Sequence, residues 1–486
     1  MSAERSIGGS GRPEWRTWGT VLLAAALLVP ATQAAEGEEA AEGFPSDTNL
    51  ASAVKSAPRP APKARVTGRV RAQYDYRTQG SERDTDFYGY LTTEARDLAG
   101  GKADVYLSGR VKSDLDDKSP ADLSEDPFHS VDESNGVTED RLLQLYVDVH
   151  NRERNQSLRV GRQYVEIADY LHLDGAQFLY HENGELGGRI YAGQPVSYYT
   201  SVSGDYAGGL SLVGRPWDGN RLRFTAARYH DDGEDEDDQH FFFDVRQQLS
   251  ESQRARVQLS VLNDEFRMGR ADWYLSTPDG ETDLSLGSSY WGSFDARTRA
   301  YSPLYNVLGE QDPYTYVYGR LTQMIVPHWF LSPGVAWRFA EDTESTYRNR
   351  DYENYDLALI YEPSRAFTAS VALEYWAVDE DDSFLGVSGE VRYRHGRVWE
   401  VSGGASFAEY TYDTYSDISY SGNGGSTVIS ETGTVSEETP FVKTYFLRTK
   451  WRLNKALALR LQGDIEDDDD SEDLAYRGRG SIEVRF

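Results

Sequence analysis

The chain has 486 residues, of which 39% are hydrophobic and 13% aromatic, and its 50 basic and 80 acidic side chains leave a formal charge of −30. That charge repels phosphate backbones and excludes nucleic acid binding through a basic surface. Cys is absent, which excludes disulfide frameworks, thiolate zinc sites, iron–sulfur clusters, thiol nucleophiles and covalent c-type haem attachment. A mean hydropathy of −0.64 would suit a soluble protein, but strands of a membrane barrel alternate apolar with polar residues and average out as hydrophilic.

At the N-terminus, Arg5, Arg12 and Arg16 precede the apolar run Val21 to Ala31, with small residues through Ala34 and Ala35. This is the order of a secretory signal, and the run falls short of the ~20 apolar residues that span a bilayer. The expected domains are a signal peptide (1–34), a disordered periplasmic linker (35–64) rich in Ala, Glu, Ser and Pro, and a unit from 65 to 486.

From Arg65 onward the pattern has period two. Phe367, Ala369, Val371, Leu373 and Tyr375 oppose Thr368, Ser370 and Glu374, and Leu457, Leu459, Leu461, Gly463 and Ile465 oppose Ala458, Arg460, Gln462 and Asp464. About 22 such segments (roughly 18–24) can be read, filling about half the chain, well above the ~20–25% of soluble domains. A closed barrel accommodates them because it leaves no open edge. The expected fold is all-β, a transmembrane antiparallel up-and-down β-barrel.

Short turns near 100–101, 151–155, 216–220, 250–253, 278–281, 362–365, 395–397 and 454–456 alternate with longer or more acidic segments at 114–138, 230–238, 293–313, 341–352, 378–383, 412–440 and 466–473. That alternation places both termini at the short-turn, periplasmic end and gives an even strand number. Region 163–207 is read as a lumen-facing or surface loop near 164–174, two short strands around 175–193 and a loop near 195–206.

On the last segment Tyr476, Gly478, Gly480, Ile482, Val484 and Phe486 share a face. The chain here resembles the bacterial outer-membrane β-barrel proteins, porin-like, whose terminal strand ends in an aromatic. The resemblance implies that Tyr476, Ile482, Val484 and Phe486 form an assembly signal read by the barrel-assembly machinery. It also implies export through the general secretory route to the outer membrane of a Gram-negative cell, among lipid and lipopolysaccharide.

So wide a barrel cannot be filled by its own side chains and must hold water or a plug. The pore-lining candidates, taken from the polar parity, are Arg223, Arg246, Arg256, Arg338, Glu374, Glu390, Arg392, Glu400, Arg448, Arg452, Arg460 and Asp464. Such charges either tune selectivity or only pair with one another to stabilise a polar wall. The acidic runs 231–238, 379–382 and 464–473 lack the ligand spacing of a calcium loop and read as solvated surface charge, and the Tyr and Trp excess reads as aromatic girdles. With eight His residues in no metal-ligand spacing, and no nucleophile elbow or P-loop, neither an enzyme, a metal nor a cofactor is expected.

The expected function is a porin-like channel for passive diffusion of small hydrophilic solutes or ions. The alternative is a structural sheath around a periplasmic partner such as a multihaem cytochrome in an electron conduit. A homotrimer is left open.

Overall fold

The computed structural model describes residues 63–486 apart from 117–137, 167–169, 182–184, 199–201, 234, 294–296, 299–311, 342–349, 380–381, 416–417, 423–426, 432–434, 470 and 472. The expected signal peptide (1–34) and nearly all of the expected linker (35–64) lie outside the described residues.

The chain first forms β1 (Arg65–Gln79), β2 (Glu82–Asp97), β3 (Ala103–Asp114), β4 (Thr138–Asn151), β5 (Gln156–Glu166), β6 (Tyr170–Tyr180), β7 (Leu186–Pro195), β8 (Tyr206–Gly214) and β9 (Asn220–Asp231). It continues through β10 (Glu236–Ser250), β11 (Gln253–Leu262), β12 (Glu265–Ser276), β13 (Thr282–Trp291), β14 (Tyr314–Val326), β15 (Trp329–Ala340), β16 (Tyr352–Ser364), β17 (Phe367–Val378), β18 (Ser383–His395) and β19 (Trp399–Tyr415). Short strands β20 (Ile418–Gly422), β21 (Thr427–Glu431) and β22 (Val435–Glu438) precede β23 (Phe441–Arg452), β24 (Leu457–Asp468) and β25 (Ala475–Arg485).

Each strand of the wall pairs antiparallel with its neighbour along the chain, and β19 pairs with β23 across the intervening β20–β22. β1 pairs with β25 from Arg69↔Arg485 to Gln79↔Ala475, so 22 strands close into a barrel. No helix among the described residues is long and apolar enough to cross a membrane.

Period two sets the faces. Val371, Leu373, Tyr375, Leu385, Val387, Leu447, Leu461, Ile465 and Val484 are all exposed, as are their counterparts around the circumference. Soluble monomers tolerate apolar patches of a few hundred Å², and a continuous belt of this kind is stable only against lipid. Aromatics edge it: Trp329, Tyr393 and Trp451 stand exposed toward the short-turn end, Tyr206, Phe339 and Tyr476 toward the other. The opposite face is concave, because its side chains reach across an intervening strand. Tyr318 Oη on β14 donates to Asp272 on β12 at 2.8 Å, and Arg320 on β14 pairs with Asp356 on β16 at 2.7 Å. Gly334 on β15 lies beneath that ion pair, where a Cβ would collide with it.

The connections agree in plan with the expectation and differ in detail. At the end shared by both termini, turns such as 251–252, 327–328 and 365–366 are tight, whereas at the other end 115–137, 292–313 and 416–440 separate strands. That other end also carries tight links at 80–81 and 263–264, so length alternation does not run unbroken. Half of the acidic run 231–238 lies in strand, since β9 ends at Asp231 and β10 begins at Glu236. Part of 412–440 is strand too: β19 runs on to Tyr415 and pairs with β22, while β20 pairs with β21. Its Tyr, Thr and Ile content favours extended backbone. Residues 164–166 and 170–174, expected in a loop, are strand: β5 reaches Glu166 and β6 begins at Tyr170.

Closure ends on Phe486, whose backbone exchanges hydrogen bonds with Gly68 at 2.8 and 3.0 Å. A Cβ on Gly68 would fall within the Phe486 ring, so the ring covers the bare backbone of the first strand. Tyr476, Ile482, Val484 and Phe486 all point outward into the belt. Deleting Phe486, or Val484→Asp, which sets a charge on the lipid face, is expected to lower sharply the heat-modifiable barrel recovered from outer-membrane fractions. Normal recovery of both variants would remove the terminal strand from the closure step.

Candidate functional site

The sequence-selected charges all fall on the concave face and divide into paired and unpaired groups. Arg246 and Arg256 both bind Asp244, at 3.1 and 2.7 Å. Arg460 pairs with Glu483 at 3.1 Å, Glu400 with Arg394 at 3.1 Å, and Arg223 with Glu166 at 2.8 Å. Glu374 accepts from Trp376 Nε1 at 2.7 Å, Asp464 from Gln462 at 2.8 Å, and Arg338 lies 4.3 Å from the Tyr314 ring centre. For these, stabilising the polar wall accounts for the position. Glu390 has no cation within ion-pair distance among the described residues, and Arg392, Arg448 and Arg452 have no carboxylate. Arg448 lies 4.5 Å over the Phe446 ring instead.

Register gathers the unpaired cations. Arg392, Ser402, Arg448, Gln462 and Arg479 form one cross-strand row, and Arg394, Glu400, Lys450, Arg460 and Ser481 the next. The basic wall continues past the β25–β1 seam into a recess of about 430 Å³ lined by Arg71, Arg110, Arg477, Arg479, Tyr88 and Tyr90. Asp75 holds Arg479 through two bonds of 2.9 and 2.8 Å, and Arg71 stacks 4.0 Å over Tyr90. Arg71 and Arg477, like Lys450, have no ion pair among the described residues. Sequence reasoning missed this recess, although Arg69, Arg71, Gln73, Asp75 and Arg77 alternate with Val70, Ala72, Tyr74 and Tyr76 and carry the same period-two signal. A larger hollow of about 540 Å³ opens elsewhere, lined mainly by Val257, Trp273, Leu286, Val317, Val335 and Trp337. It lies on the apolar face and belongs to the lipid side.

Two segments leave the wall and cover the concave face. β4 pairs with β3 as far as Thr138, but with β5 only as far as Leu145↔Arg162, while β5 and β6 stay paired to Glu166↔Tyr170. The β5–β6 tip therefore departs from β4. Side chains satisfy the freed β4 carbonyls: Arg162 Nη1 at 3.2 Å and Tyr198 Oη at 2.7 Å donate to Leu142, and His172 Nε2 donates to Leu143 at 2.6 Å. Unsatisfied backbone at membrane depth is not tolerated. The bend coincides with a cross-strand glycine row, Gly161↔Gly175↔Gly193. Gly161 has φ +128°, and a Cβ on any of the three would strike neighbouring backbone. Beyond the bend, Val165, Leu171 and Leu173 pack on Tyr191, Ala207, Ala227 and Tyr229, forming an apolar core on the inner side of the wall.

The second segment follows β13. Asp238 on β10 is fully buried and accepts from Arg297 N at 3.1 Å, Thr298 N at 2.8 Å and Thr298 Oγ1 at 2.6 Å. Those donors come from the β13–β14 connection, which therefore crosses β11 and β12 to reach β10. Beneath it His240, Ser260 and Leu262 are buried, with His240 Nε2 2.7 Å from Ser260 Oγ. Each bond to a buried carboxylate contributes about 1.5–3 kcal/mol, so Asp238→Ala is expected to free this connection and speed tryptic cleavage after Arg297 about tenfold or more, with heat-modifiability unchanged. Limited proteolysis with mass spectrometry checks this, and equal rates in both proteins would show that Asp238 does not anchor the segment.

No family model and no curated protein matches the chain. Among solved structures it is similar to OccK2 (OpdF) of Pseudomonas aeruginosa in complex with glucuronate, at 9% identity over 87% of this chain and 96% of that one, TM-score 0.41. It is similar also to OccAB3 of Acinetobacter baumannii, at 12% identity over 87% and 99%, TM-score 0.38. A BenF-like porin from Pseudomonas fluorescens Pf-5 matches at 10% identity over 87% and 98%, TM-score 0.41.

Proposed function

We propose that the chain is an outer-membrane channel for passive diffusion of small hydrophilic solutes or ions, with a preference for anions along its basic wall. The observation that carries this reading is a closed barrel with a lipid-compatible outer face and a charged inner face on which Arg71, Arg392, Arg448, Lys450, Arg452 and Arg477 have no carboxylate partner among the described residues. Cations paired in place would serve the wall alone, whereas unpaired ones keep their attraction for a passing anion. In this reading residues 1–34 are removed on export, 35–64 remain as a periplasmic linker, and the barrel-assembly machinery inserts the chain among lipid and lipopolysaccharide. The intact mass of the outer-membrane form reports the cleavage point.

The sheath alternative has less support. An enclosed cytochrome would compete for space with the β5–β6 tip and the segment held by Asp238, both lying on the inner wall. The purified barrel in a planar bilayer is expected to give discrete conductance steps, and Arg448→Glu or Arg452→Glu to shift the reversal potential in a salt gradient by millivolts toward cation selectivity. No steps from the intact barrel would favour the sheath. Steps without a shift would take those two residues off the conducting surface.

A further inference from the structure

The β5–β6 tip ends in a carboxylate that meets a nest of arginines far from its own strand neighbours. Glu166 Oε1 accepts from both Nη1 and Nη2 of Arg223 on β9, each at 2.8 Å, and the Glu166 backbone carbonyl accepts from Arg189 Nη1 on β7 at 3.2 Å. Arg223 is nine-tenths buried, while Glu166 is 45% exposed to the lumen. Arg221 and Arg246 face each other one register step away and Asp244 stands opposite Arg223, so Glu166 and Asp244 are the carboxylates among these four cations. The tip reaches them because the Gly161, Gly175 and Gly193 row bends it off the wall, and its apolar side has Val165 and Leu173 fully buried on β7–β9.

We propose that Glu166 is a clamp: by its bonds to Arg223 and Arg189 it holds the β5–β6 tip against the inner wall and so sets the width of the channel. The inference rests on the channel reading for its effect on current, but not for the clamp itself. Charge complementarity supplies the hold, since a charge-assisted bond to a buried guanidinium is stronger than a neutral one. The glycine row shapes the bend, and Arg162 and His172 hold its base to the β4 carbonyls, so the part left to the clamp is the tip beyond them. A tip released from the wall changes the open cross-section, and it uncovers Val165.

Two readouts separate the clamp from the channel. The chain has no Cys, so Val165→Cys gives a single thiol. Its labelling by a water-soluble maleimide in the detergent-solubilised full chain is expected to be slow, and about tenfold faster when Glu166→Gln is added, with heat-modifiability retained in both. Single-channel conductance of Glu166→Gln alone is expected to differ from wild type, with added flicker between levels. Equal labelling rates with and without Glu166 would overturn the clamp. Faster labelling with unchanged conductance would overturn its control of width. A wild-type barrel that passes no current while Glu166→Gln still speeds labelling would sink the channel reading and support the clamp. If Glu166→Gln loses heat-modifiability, Glu166→Asp, which keeps the charge on a shorter arm, is expected to label at an intermediate rate, and a rate equal to wild type would again count against the clamp.

Discussion

Lipid offers no hydrogen-bond partners, so every backbone N–H and C=O at membrane depth must find one within the protein. All else in this molecule follows from that demand. An antiparallel sheet meets it only by closing on itself, which is what the pairing of β1 with β25 does. The closing seam is finished by Phe486, bonded to Gly68 and laid over it. With the backbone satisfied, the pleat sends alternate side chains to lipid and to the interior. The apolar belt and the charged wall are thus two aspects of one ladder.

The parting of β5 from β4 shows how strictly the demand is enforced. Where β5 parts from β4, Arg162, Tyr198 and His172 take over the carbonyls of Leu142 and Leu143. The departure leaves a hairpin tip inside the barrel, packed on Tyr191 and Tyr229. Together with the connection bound to Asp238 it brings apolar packing and buried hydrogen bonds to an interior otherwise wetted by charge. On the other flank, from β18 through β25 to β1, the wall carries Arg392, Arg448, Arg452, Arg477 and Arg71, which have no ion pair among the described residues. One side of the lumen is therefore built as structure and the other as an electrostatic surface.

The architecture was legible in the sequence because period two needs no long-range information: Leu457 to Ile465 and Tyr476 to Phe486 declare their faces from parity alone. The inward parity of Arg448, Arg460 and Glu374 was legible for the same reason. What each charge does was not, because pairing depends on register. Arg223 looks like Arg448 as text, yet one is bound to a carboxylate 57 positions away in the chain and the other is not. The hairpin tip also escaped, since Val165, Leu171 and Leu173 carry ordinary strand alternation and only contacts with β7–β9 reveal that they are covered. Its one local sign was glycine at 161, 175 and 193, three positions whose alignment becomes visible only when the strands are paired.

Alternation between lipid and lumen is the claim on which the channel depends, and site-directed spin labelling reads it directly. Single cysteines placed in turn at residues 457 to 465, in a chain that has none of its own, would carry nitroxides in a reconstituted bilayer. Oxygen, which partitions into lipid, should relax labels at 457, 459, 461 and 465 most strongly, and a water-soluble nickel chelate those at 458, 460, 462 and 464. A flat profile, or one with a helical period, would contradict the barrel and everything argued from its inner wall.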